Sequence, residues 1–171
     1  MYSDLGLIRK MKQGDEDAFA VFVHKYYPKV LLYCQYHCRD KEDAQDLTQE
    51  TFVRFFTKLP EYHYRGKNLN YLYTIAGNLC KDYLKKRKEI PLQESLLEKE
   101  RLSEERQMEN ILNKIVVQQA LGQLPEELKE IIILYYFQGL KLTEIAEILH
   151  IGLPLVKYRL RRAKKQLEKW L

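Results

Sequence analysis

Apolar side chains recur every three or four positions along this 171-residue chain, and no stretch alternates with the two-residue rhythm of a strand. That rhythm predicts an all-α fold, because residues three and four apart share one face of a helix and can be buried together. A short helix is expected from about Asp4, ending before the turn residues Gln13-Gly14-Asp15. From about Glu16 to Cys38, Phe19, Phe22, Tyr26, Val30 and Cys34 mark an inward face. Pro28 should kink or split this helix, since proline lacks the amide that bonds back one turn. A third helix is expected from near Asp40 to Leu59-Pro60. A fourth runs from about Asn70 to Lys88, with Leu72, Ile75, Ala76, Leu79 and Tyr83 on one side.

The pattern lapses over residues 89–109, which carry seven acidic and three basic side chains, include Pro91 and hold few large apolar residues. That composition predicts an acidic linker. It divides the chain into an N-terminal domain, 1–88, and a C-terminal domain, 110–171. In the second, a helix to about Leu121 precedes a break at Gln123-Leu-Pro125. A helix then spans the apolar run Ile131 to Phe137, and Gln138-Gly139 turns into two more. Seven Gly, five Pro and 46% hydrophobic residues exclude collagen-like and wholly disordered chains. No apolar run reaches the roughly 18 residues of a membrane span. The N-terminus lacks a basic segment leading into an apolar one. A cytoplasmic chain without membrane insertion is expected. The three cysteines, Cys34, Cys38 and Cys80, suit reduced thiols better than a disulfide framework. The net charge of +5 is modest, so its distribution matters more than its size.

From Gly139 to Leu160 the apolar spacing is that of a helix-turn-helix. Ile145, Ala146 and Leu149 are expected to face the core from its first helix, Ile151 to pack under the turn, and Val156, Leu160 and Ala163 to face inward from the second. Leu155, Lys157, Tyr158, Arg161, Arg162 and Lys165 then point outward, and residues 157–165 hold six basic side chains and no acidic one. Such a face can set its first residues against base edges in a major groove while later cations meet phosphates. A merely solvated basic helix would share the charge but not the accompanying turn.

Between Tyr62 and Lys88, Tyr62, His63, Tyr64, Tyr71, Tyr73 and Tyr83 are interleaved with Arg65, Lys67, Lys81, Lys85, Lys86, Arg87 and Lys88. Single-stranded nucleic acid needs this mixture, because splayed bases stack on aromatic faces while cations follow the phosphates. Asn68, Asn70 and Asn78 could read base edges. Tyr83, on the apolar side, reads instead as a core residue with its hydroxyl reaching outward. On the third helix, Leu47, Phe52, Phe55 and Phe56 fall inward, while Asp43, Asp46, Glu50, Thr57 and the apolar Val53 share the opposite arc. An acidic arc is ordinarily a solvated face; a valine within it hints at a protein partner carrying Arg or Lys.

With these segments in place, the chain resembles bacterial RNA polymerase sigma factors, specifically the extracytoplasmic-function (ECF) group of the sigma-70 family. Asp43-Ala-Gln-Asp-Leu-Thr-Gln-Glu-Thr-Phe looks like that group's core-polymerase-binding helix, and Asn70-Tyr-Leu-Tyr-Thr-Ile-Ala-Gly-Asn-Leu-Cys-Lys-Asp-Tyr-Leu like its −10 recognition helix. Leu121-Gly-Gln-Leu-Pro-Glu-Glu-Leu through Arg162 looks like its −35-binding domain. The resemblance implies two small helical domains, sigma-2-like and sigma-4-like. It implies a factor that binds core RNA polymerase and directs promoter recognition and initiation, held inactive by a membrane-anchored anti-sigma factor until a signal arrives. Asp43, Asp46, Gln49, Glu50 and Val53 would meet the clamp helices of the largest polymerase subunit. The loop Tyr62–Asn70 would receive a flipped-out base, and melted −10 DNA would meet Tyr62, Tyr64, Arg65, Lys67, Asn68, Tyr71, Asn78, Lys81 and Lys85. The −35 duplex would meet Leu155, Lys157, Tyr158, Arg161, Arg162 and Lys165. The free chain would be a monomer.

The chain departs from the family pattern in three places. Tyr71 stands where Trp is frequent, and Lys141 where Ser or Thr usually caps a helix, which would leave that cap missing or moved to Thr143. Leu155 and Tyr158 replace two small hydroxyl residues of the recognition helix. Two rivals differ in kind. An autonomous operator-binding regulator would need a sensor or dimerisation domain within residues 1–88. A metal enzyme or sensor would have to use Cys34, His37 and Cys38, with His24 nearby in sequence; adjacent His37 and Cys38 point apart on a helix, and no second pair stands at finger spacing. No nucleophile–base pair or phosphate-binding glycine loop is present, so neither catalysis, a cofactor nor a metal is expected.

Overall fold

The computed structural model describes residues 3–38, 40–89 and 116–169. The expected linker therefore lies almost wholly outside the described residues. The chain falls into two compact units, Met1–Arg87 and Lys88–Leu171, each with its own core.

The first unit is built from α1 (Asp4–Lys12), α2 (Glu16–His37), α3 (Lys41–Thr57), a 3-10 turn at Leu59–Glu61, and α4 (Asn68–Glu89). Short polar side chains start the first three helices. Ser3 accepts the Gly6 amide at 3.0 Å, Asp15 the Asp17 and Ala18 amides at 3.0 and 3.3 Å, and Asp40 the Glu42 amide at 2.9 Å. Gly14 makes the tight link from α1 to α2 at φ +84°, a region that costs glycine little. Pro28 does not split α2, which runs through it as one helix. The proline sits on the exposed side, where water can meet the carbonyl its missing amide leaves free, while Tyr26 and Val30 on either side stay buried.

The core of this unit joins Phe22, Val30, Tyr33 and Cys34 of α2 to Phe52 and Phe55 of α3 and to Leu72, Tyr73, Ala76 and Cys80 of α4. On α3 the fully enclosed positions include Thr48 and Thr51, which the apolar pattern did not mark. Their hydroxyls bond back to the Ala44 and Leu47 carbonyls at 2.7 Å, so burial leaves no unmet donor. Leu47 and Phe56, expected inward, are only half-buried.

In the second unit, residues 116–122 are helical, and Pro125 opens α5 (Glu126–Ile132). The expected continuation to Phe137 widens into a π turn at Ile133–Phe137, with the Gln138 amide donating to the Ile133 carbonyl five residues back. The helix-turn-helix follows as α6 (Leu142–Leu149) and α7 (Leu153–Glu168). Its cap has not moved to Thr143. Lys141 stands at the N-cap, and Glu144 reaches back to accept the Lys141 amide at 3.0 Å, the acidic half of a capping box. His150 takes the left-handed position at φ +53° that closes α6. Ile145 and Ile148 are the buried residues of α6, whereas Ala146 and Leu149, expected inward, are half-buried. Val156, Leu160 and Ala163 of α7 are buried as expected.

Candidate nucleic-acid and partner interfaces

On α3, Asp46, Gln49, Glu50 and Val53 form one exposed row, with Val53 55% accessible. The Glu50 carboxylate accepts from Arg54 one turn on, at 3.1 Å, an exposed pair that adds little stability. Asp43 leaves the row. It is half-buried, and its carboxylate accepts a 2.5 Å hydrogen bond from the Tyr83 hydroxyl of α4. Tyr83 in turn accepts from Arg87 at 2.8 Å, with the guanidinium 5.9 Å from the ring centre. Burial first, then the Asp43 carboxylate, raise the Tyr83 hydroxyl well above the ordinary phenol range, so it remains a donor.

Sequence reasoning assigned no role to the neighbouring face of α2. Phe19, Ala20, Val23, His24, Tyr27 and Pro28 line an open apolar groove of about 640 Å³ there. Its rings touch those of α3, Phe19 against Phe56 at 5.0 Å and Tyr27 against Phe52 at 6.0 Å. The signal was the spacing of Phe19, Val23 and Tyr27, four apart on one face; Phe19, expected inward, is half-buried, as are Val23 and Tyr27.

The loop before α4 is held rather than loose. Tyr62 and Tyr71 stack at 5.1 Å and 27°, and both lean on Phe55, at 5.1 and 5.8 Å. The Tyr62 hydroxyl donates to the Asn68 side-chain oxygen at 2.9 Å, and Lys12 reaches the Tyr62 carbonyl at 2.5 Å. Burial, followed by the neighbouring Tyr71 and Tyr64, pushes the Tyr62 hydroxyl up to about 12. Asn68 is only 1% exposed, so its side chain belongs to the loop's anchorage and not to the surface expected of it. Its amide also lies beside the Tyr26 hydroxyl, which donates to Asp4 at 2.7 Å. Tyr64 is half-buried, Arg65 and Lys67 are exposed, and Gly66 turns at φ +89°. Tyr71, Thr74, Asn78, Lys81 and Lys85 then form a single stripe along α4, exposed from Asn78 onward.

On α7, Leu155, Lys157, Tyr158, Arg161, Arg162 and Lys165 all lie on the solvent side. Arg162 donates to the Tyr158 hydroxyl at 3.2 Å, its guanidinium 6.0 Å from that ring. The remaining cations of the helix have other neighbours: Arg159 pairs with Glu127 at 3.7 Å, and Lys164 sits 5.8 Å from the Tyr136 ring.

Cys80, which the sequence set apart, joins Cys34 and Cys38 in the first core. Hydrogen bonding with the Cys34 thiol, then with Cys38, and burial raise the Cys80 thiol well above its ordinary range. Among the described residues, no group of three or more His, Cys, Asp or Glu is placed to hold a metal ion, and no helix is long and apolar enough to cross a membrane.

Two family models match the chain in order: sigma-70 region 2 over residues 22–90, and sigma-70 region 4 over residues 114–167. The ECF RNA polymerase sigma factor SigW of Bacillus subtilis is 31% identical, across 96% of this chain and 94% of SigW. The RNA polymerase sigma-H factor of Pseudomonas aeruginosa is 29% identical, across 98% of this chain and 93% of its own. Among solved structures, the fold is similar to that of CnrH in complex with the cytosolic domain of CnrY, at a TM-score of 0.73 and 21% identity, covering 95% of this chain and 93% of that one. It is also similar to the sigma factor RpoE in complex with the anti-sigma factor NepR from Bartonella quintana, at 0.69 and 19%, covering 89% and 95%. With both regions in sequence order and the likeness to SigW running almost end to end, the chain belongs to the sigma-70 family, as an ECF RNA polymerase sigma factor.

Proposed function

We propose that the chain binds core RNA polymerase through Asp46, Gln49, Glu50 and Val53 of α3 and directs it to promoters. Tyr64, Arg65, Lys67 and the outward stripe of α4, opened by the stacked Tyr62 and Tyr71, take the melted −10 strand. The outward side of α7 takes the −35 duplex. The observation that carries this reading is the near end-to-end likeness to a curated ECF sigma factor. The solvent-facing acidic and basic rows of α3 and α7 support it. Such a factor acts in the cytoplasm, where its polymerase is. A membrane-anchored anti-sigma protein holds it inactive by covering the polymerase-binding side; the apolar groove on α2 offers a protein partner area to bury.

Run-off transcription tests the reading. Core polymerase with the added chain should transcribe a subset of genomic templates that core alone does not. Replacing Asp46→Lys and Glu50→Lys together should abolish co-purification with core while helical content stays unchanged. Undiminished co-purification of that double variant would remove α3 from the interface. Capture of the factor from uninduced cells should bring down an inhibitor; recovery of free factor alone would count against one.

A further inference from the structure

Helices α3 and α4 touch through side chains at two well-separated places. Phe55 meets Tyr71, ring centres 5.8 Å apart, and Asp43 meets Tyr83 through the hydroxyl–carboxylate bond. The two contact residues are separated by the same number of positions in each helix, about 18 Å of axis at 1.5 Å per residue. They run in opposite chain order, so the pairs pin an antiparallel couple at two points. The buried face of α4 also packs on α2, with the Tyr33 and Tyr73 rings 5.3 Å apart; the two contacts to α3 add the direction of α4 relative to that helix.

We propose that Asp43, Tyr83 and Arg87 form the tie that sets the direction of α4 against α3, with Tyr83 as the positioning residue and Asp43 turned inward to hold it. The two ends differ in kind. Rings at the Phe55 end can slide on one another at small cost, whereas a phenol bonded to a carboxylate is directional and charge-assisted. Arg87 donates to the same hydroxyl and lies over the same ring, so the Asp43 charge is balanced where it is half-buried. The functional consequence rests on the sigma-factor reading above; the tie itself is a property of the free chain. α3 carries Asp46, Gln49 and Glu50, and α4 carries Asn78, Lys81 and Lys85. Polymerase holding the first helix would therefore present the second to DNA at a set angle. A swing of about 10° on an 18 Å lever moves its end by about 3 Å, the length of a hydrogen bond.

The test uses the full chain with Tyr83→Phe, Asp43→Ala and Asp43→Asn. It reads affinity for purified core polymerase, run-off from a template the parent transcribes, and amide hydrogen exchange along α4 in the free chain. Tyr83→Phe and Asp43→Ala should keep core affinity within about twofold, cut transcription about tenfold and speed exchange in the C-terminal half of α4. Asp43→Asn retains an oxygen acceptor and should recover to within about threefold of the parent. Unchanged exchange in Tyr83→Phe overturns the tie, and parental transcription despite faster exchange overturns its positioning role. Loss of core affinity in both Asp43 variants but not in Tyr83→Phe would place Asp43 on the polymerase. If the parent itself neither binds core nor transcribes, the sigma-factor reading fails, and exchange alone decides the tie.

Discussion

Two tyrosine–arginine pairs of identical spacing, Tyr83–Arg87 on α4 and Tyr158–Arg162 on α7, have become different things. Both set the guanidinium near the ring, at 5.9 and 6.0 Å, and both bond it to the phenol oxygen, at 2.8 and 3.2 Å. Tyr83 is half-buried and spends its own proton on Asp43, forty residues away; Tyr158 is 51% exposed. In the first unit the pair is part of how one helix meets another. In the second it is a surface contact worth at most about 1 kcal/mol, from which the arginine can swing to a phosphate. The same local motif is architecture or an exposed surface contact according to whether a third group stands at the hydroxyl.

The contrast can be broken most severely at its aromatic foundation. Phe55 is fully enclosed and carries both Tyr62 and Tyr71, so Phe55→Ala should cost about 3–5 kcal/mol in a urea melt of the first unit's signals and free the loop. The second unit's melt should not move. On α7, Leu155→Thr should change preference at one or two −35 base pairs by about 1–3 kcal/mol, read across a library of promoter variants. An equal loss on every variant would make Leu155 a packing residue instead. Alkali sharpens the contrast from the other side. A hydroxyl raised from 10.0 to about 12 favours the folded state below pH 10, and Tyr62 loses that contribution as pH climbs towards 12. Melts of the first unit between pH 9 and 12 should therefore show a decline that Tyr62→Phe flattens. The smallest stability effect belongs to Arg162→Ala, within about 0.5 kcal/mol of the parent. That variant should nevertheless weaken duplex binding on all sequences and lower the salt slope by about 1.

The helices, and both the inward face and the basic side of α7, were legible from the chain because they depend on neighbours three and four residues away. Val156, Leu160 and Ala163 go inward and Lys157, Arg161 and Arg162 outward by the geometry of one helix alone. Of the two outcomes expected at Pro28, the split does not occur, because its side of the helix meets water, which spacing does not reveal. Asp43 and Asp46 look alike on a helical wheel, and Asn68 resembles any loop asparagine.

The sequence alone therefore determined an all-helical chain of the sigma-70 kind, with an acidic arc on one helix and a basic face on another. Only the tertiary structure decided that Asp43 turns to Tyr83, that Asn68 is buried and bonded to the Tyr62 hydroxyl, and that Cys80 meets Cys34 and Cys38. The physical reason is range. Helix faces follow from a repeat of 3.6 residues, whereas these contacts join positions outside that repeat, forty apart for Asp43 and Tyr83 and six for Tyr62 and Asn68, set by how helices and loop pack and by which polar groups find partners once buried.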